Sequence, residues 1–204
     1  AKLDERSTCE FVGTSLLQGG LYTFIVNGQT LPGDFIIDKD QKFTIYLDDN
    51  QTNGSIFQRF VGSPENNELL QYQSFMTQQG EDIQRYHQLL SLSKNAAESM
   101  KYYDTLDMID SRIRDYRSNI VKQQPNSTLG VILAAITEPK LPPQMKNPSN
   151  RKDSLKVREF VNEHFWEGTN FWDGRIANTP FLSDKLNKYF TEVLIPHKDT
   201  VIRE

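Results

Sequence analysis

Residues 102–120 read YYDTLDMIDSRIRDYRSNI, and their spacing decides the fold class. Tyr102, Leu106, Ile109, Ile113, Tyr116 and Ile120 recur at intervals of 4, 3, 4, 3 and 4. That is an apolar heptad seam, which winds a helix so that one stripe faces a partner. Lys101, Asp104, Asp107, Asp110, Arg112, Arg114, Asp115 and Arg117 fill the positions between and give the helix a solvated side. Upstream, Leu69, Tyr72, Met76, Ile83, Tyr86 and Leu90 also share one side, with Gly80 expected to bend or break that stretch. Two such stripes in sequence predict an antiparallel helical hairpin. The same seam in a coiled coil between chains is the lesser alternative.

Working toward the N-terminus, Gly62-Ser63-Pro64 marks a change of period. Ser63 is expected to cap the first helix, and Pro64 suits its first position, where no N–H is needed. Before it the pattern is that of strands. Leu21 to Val26 is β-branched and aromatic and runs into Asn27-Gly28, which favours a type I′ hairpin turn. Phe35-Ile36-Ile37, the polar turn 38–41, and Phe43 to Leu47 with its period-two alternation follow. Ser55 to Val61 reads as one more strand. Four or five short strands predict a sandwich-like or curled antiparallel sheet.

Working toward the C-terminus, Leu129 to Thr137 reads as a short apolar helix containing the longest apolar run, Val131 to Ile136. A proline-punctuated connector spans Pro139 to Asn150. Asp153 is expected to cap a helix reaching Trp166, and a last amphipathic helix carries Leu182, Leu186, Tyr189, Phe190 and Val193. The expected class is therefore α+β: an antiparallel β domain at 1–62 that lacks its first strands, then a helical domain at 63–204, truncated at its C-terminus. Ala1 opens on charged residues and 197–204 reads as a helix just beginning, so both ends look cut.

Of the 204 residues, 37% are hydrophobic and 25% charged, which supplies a core with a wet surface. The net charge is −4 with Lys and Arg interspersed among Asp and Glu, which argues against a nucleic-acid partner. No apolar run reaches the roughly 18 residues of a membrane span. Cys9 is the single cysteine, so no Cys-x-x-Cys exists in this stretch; beside Phe11 and Val12 it reads as a small buried hydrophobe.

Catalytic patterns are missing. There is no Gly-x-Ser-x-Gly elbow, P-loop or Gly-x-Gly-x-x-Gly. His87, His164 and His197 stand apart and read as surface or capping residues. A calcium loop starting at Asp49 fails at its twelfth position, which is Phe60 instead of a carboxylate. The stretch 48–54 reads instead as an acidic loop between strands. No catalytic residue, cofactor or metal is implied. The densest unusual feature is Phe165, Trp166, Phe171 and Trp172, four large aromatics in eight residues. Such rings clamp a loop to a core or form a partner-binding platform, since Trp and Tyr anchor interfaces; clamping is the favoured reading.

Phe165-Trp166 through Asn170-Phe171, Ile176 to Leu182 with its Asn178-Thr179-Pro180, and Lys185-Leu186-Asn187-Lys188-Tyr189-Phe190 resemble a helical domain of unknown function. That domain occurs in exported thioredoxin-like proteins of Bacteroidetes, of the thiol-disulfide oxidoreductase family. Phe11-Val12-Gly13, Gly20-Leu21-Tyr22, Phe35-Ile36-Ile37 and Gly62 to Leu69 resemble the small β domain that opens those proteins. Asn178 stands where that pattern carries Arg. The resemblance implies export to the periplasm or outer envelope, a lipid anchor at an upstream cysteine, and a redox module downstream. It carries no catalytic residue onto these positions. The expectation is a non-catalytic region that positions the redox module or binds its clients. The alternative is a free-standing envelope module that binds a peptide or glycan through the aromatic surface. A hydrolase with an unrecognised carboxylate pair is a distant third.

Overall fold

The computed structural model describes residues 5, 8–26, 28–30, 33–39, 41–50, 55–146 and 148–194. The chain is α+β, with short strands first and helices after. The strands are β1 (Gly20–Tyr22), β2 (Ile25–Val26), β3 (Gln29–Thr30), β4 (Phe35–Ile37), β5 (Thr44–Asn50) and β6 (Ser55–Val61). They form three antiparallel pairs, with β1 on β4, β2 on β3, and β5 on β6. The first pair brackets the second.

The expected sandwich-like sheet is corrected by this pairing. The stretch 21–26 breaks at Thr23-Phe24 into two strands, too short to build a wide ladder. The layer is held by side chains instead. Phe35, Ile37 and Phe60 are buried together, packed by Tyr22, Phe24, Phe43 and Ile45. Phe24 stacks on Phe35 with ring centres 4.7 Å apart. Val26 pairs with Gln29, leaving a two-residue loop in which Gly28 has φ 79°. Asn27 lies outside the described residues, and with it the turn type. Asp48 to Asn50, expected in a loop, are the end of β5.

Helices α1 (Pro64–Leu92) and α2 (Ala96–Gln123) make the hairpin. Its antiparallel register is set by rings: Phe75 and Tyr72 meet Tyr116 at 4.3 and 6.1 Å, and at the other end Tyr86 meets Tyr102 at 6.2 Å. On the seam Ile109, Ile113 and Ile120 are buried. Each such side chain contributes about 1.5–3 kcal/mol. Gly80 does not break α1, which is continuous for 29 residues. A glycine inside a helix costs only about 1 kcal/mol, less than the packing on either side supplies.

Two caps also differ from expectation. Ser63 makes no side-chain bond to the α1 backbone; its hydroxyl accepts from the Asn66 amide at 2.8 Å. The helix α4 (Arg151–His164) is capped by Asn150, which accepts from the Asp153 N–H at 2.9 Å; Asp153 is inside the first turn, and the helix ends before Trp166. Between the hairpin and α4 lie α3 (Thr128–Ile136), capped by Ser127, and a short turn at Pro143–Met145. After α4 come α5 (Gly174–Ala177) and α6 (Pro180–Lys188), which runs on into a wider turn at Tyr189–Val193.

The main core joins both halves. Ile36 of β4 is buried with Leu69 and Tyr72 of α1, Ile120 of α2, and Leu129 and Leu133 of α3. Nearby, Asn178 accepts from the Leu21 N–H through its carbonyl and donates to the Gly19 carbonyl at 3.1 Å. Asn178 thus serves as a partner for the start of β1.

Candidate interaction site

The loop after α4 is built on α3. Gly168 has φ 75°, and a Cβ there would lie 2.5 Å from the Ala134 carbonyl, so the loop's backbone presses directly onto the helix. Lys185 reaches under the loop from α6. Its ammonium donates to the Ala135 carbonyl, near the C-terminal end of α3, and to Thr169 at 3.0 Å. It also lies 5.1 and 5.5 Å from the ring centres of Phe165 and Trp166. The helix end and the ring faces both favour a cation. Burial pulls the Lys185 ammonium below its usual range, against the opposing attraction of Glu138.

The four aromatics expected as one unit divide. Phe165 is 3% exposed and meets Trp166 edge-on at 5.0 Å. Trp166 is half-buried among Phe165, Phe171 and Tyr189. Phe171 is 58% exposed and Trp172 96%. The first pair clamps the loop; the second stands in water.

Trp172 is exposed on a fixed base. Its backbone N–H donates to the Asn170 side-chain oxygen at 3.1 Å. The next residue, Asp173, takes two bonds from the Arg175 guanidinium, 2.9 Å from Nε and 2.7 Å from Nη2. The other terminal nitrogen of Arg175 donates to Asp38 at 2.9 Å and to the Asn126 carbonyl at 3.0 Å. Thr128, with no exposed surface, donates to the same Asp38 oxygen at 2.7 Å. One guanidinium therefore ties the aromatic loop, the turn after β4 and the start of α3 into one body. The hydrogen bonds from Arg175 hold the Asp173 carboxyl below its ordinary range, and the same bonds raise the guanidinium. Beside them Glu65 accepts from the Leu129 N–H at 2.8 Å; burial pushes its pKa up, with the Asp38 charge adding to the rise.

Sequence reading missed this cluster. Asp173 and Arg175 stand two apart after the aromatics, a readable hint of a local pair. Nothing in the sequence joins Arg175 to Asp38, 137 residues away. Cys9 is only partly buried and lies in no strand, and its neighbours Phe11 and Val12 are largely exposed. The expectation of a buried thiol is corrected: Phe11 touches only the edge of the strand layer, at Phe24, and stays largely exposed. His164 places Nδ1 2.8 Å from the Phe160 carbonyl, a bond within its own helix. Among the described residues no three His, Cys, Asp or Glu side chains converge as metal ligands, and no helix is long and apolar enough to cross a membrane.

A cleft of about 880 Å³ opens between α2, the connector 138–146, α4 and the Tyr189–Val193 turn, with Phe165 at its base. Glu65, the carboxyl pushed upward, lines no part of it and is engaged with Leu129. Compared with known proteins, the chain matches no family model, no curated protein and no solved structure.

Proposed function

We propose that this chain is a non-catalytic docking region of an exported thioredoxin-like protein. In this reading it positions the redox module or holds its clients through the Phe171–Trp172 corner. The family part rests on the sequence resemblance. The docking part rests on one observation, an indole that is 96% exposed on a loop fixed by the Asp173–Arg175 bonds. An aromatic of that size in water costs free energy that a partner recovers, and a rigid base spares the entropy of ordering it on binding. Localisation in the periplasm or outer envelope, with a lipid anchor upstream, belongs to the same reading.

The gene beyond Glu204 tests the family part. An in-frame Cys-x-x-Cys module supports it, and a stop codon shortly after Glu204 removes it. Acrylamide quenching of Trp172 fluorescence, in a Trp166→Phe background, tests the docking part. Quenching should fall in the full-length protein or on adding an unfolded disulfide-bonded client. Equal quenching in all samples would sink the docking reading. Protection by an added oligosaccharide or short peptide, without the downstream module, would favour the free-standing binding module. A docked indole of this kind typically carries about 2 kcal/mol, so Trp172→Ala should weaken binding roughly 30-fold.

A further inference from the structure

The helix α4 forms one wall of the cleft. None of its 14 residues is buried. Its cleft side presents Ser154, Val157, Arg158 and Val161, spaced so that they share one face. Across the cleft, α2 presents Met100, Tyr103, Asp104 and Asp107 in the same spacing, with Met100 and Tyr103 largely exposed. Apolar side chains therefore stand on both walls of an open gap.

The charges decide what closes it. Asp107 is bonded to Lys146 at 2.7 Å, Asp110 to Arg114, and Glu138 to Lys188. Of the lining residues, Asp104, Glu192, Lys140 and Arg158 have no ion-pair partner among the described residues. Two of each sign do not select an anionic or a cationic guest. They are complementary to one another, and Arg158 and Asp104 stand on facing walls.

We propose that α4 is a strap that closes on α2, bringing Arg158 to Asp104 and setting Val157 and Val161 against Tyr103 and Met100. Phe165, buried at the C-terminal end of α4, is the pivot. The prolines Pro139, Pro142 and Pro143 stiffen the connector at the other end. An exposed ion pair adds little by itself, and the apolar contact supplies most of the drive. The pair sets the register of closure.

The test is a distance measurement by pulsed electron spin resonance. Nitroxide labels go on Lys101→Cys and Glu159→Cys, both exposed and outside the cleft, in a Cys9→Ser background of the full chain. The expected result is a population with a shorter separation than the open structure, which Arg158→Glu depletes or shifts in distance by setting a carboxylate against Asp104. A single separation matching the open arrangement overturns the proposal. So does a short population that is indifferent to Arg158→Glu.

Discussion

Asn66 is 1% exposed, yet none of its side-chain polarity is wasted. It accepts from the Ile36 N–H at 2.6 Å and donates to the Ile36 carbonyl at 2.8 Å, which gives β4 a partner on its free edge. Replacing it by Leu strands two buried backbone groups, each at about 1–3 kcal/mol. Asn66→Leu should lower the thermal midpoint by several degrees, at roughly 2–4 °C per kcal/mol. An unchanged melt would show that water replaces the amide. Gln79 is the opposite case. It is 3% exposed, and its amide oxygen meets no donor among the described residues. Gln79→Met keeps the length and removes the stranded group, so it should stabilise the chain by about 1–2 kcal/mol in a denaturant titration. A loss of stability would mean that the amide fixes the pairing of α1 with α2.

Among the elements, two glycines in helical surroundings should respond to alanine with opposite signs. Gly80 lies exposed in α1, and a Cβ there meets nothing within 4 Å. Gly80→Ala should add about 0.5–1 kcal/mol by reducing the freedom of the unfolded chain. Gly168 has φ 75° and the Ala134 carbonyl 2.5 Å from the added carbon. Gly168→Ala should destabilise by more than Gly80→Ala gains and should move the loop bearing Phe171 and Trp172. Parallel melts and the Trp172 emission maximum test the pair; equal signs would refute the packing described for that loop.

For the whole molecule, the charge cluster that joins the halves makes stability depend on pH in two opposed ways. The Asp173 carboxyl is held below its ordinary range, so its contribution is present above the unfolded pKa near 4 and is lost as pH falls through the lower folded value. Glu65 is pushed up by burial, so ionising it costs stability as pH rises through its folded value, and that cost is absent below the unfolded one. Glu65→Gln keeps an oxygen for the Leu129 N–H and removes the charge. The variant should melt higher than the parent at pH 7, with the gap closing toward pH 4. A gap constant across that range would show that the Glu65 charge is not the cause.

The sequence by itself determined the hairpin and the α+β class. The seam from Tyr102 to Ile120 and the alternation from Phe43 to Leu47 are local periodicities, each written along one element. It also marked Pro64 as a helix start, because a first-turn proline acts within a few residues of its own position. Tertiary structure alone decided that the short strands pair in twos instead of forming a wide sheet. It placed Phe165 inside and Trp172 outside, although both read as aromatic letters in one run. It also chose Arg175 to fasten Asp38 and Asn126 to the aromatic loop. Those outcomes depend on which surfaces meet across more than a hundred residues of chain, and the packing of α3 against Gly168 and Ile36 brings them together.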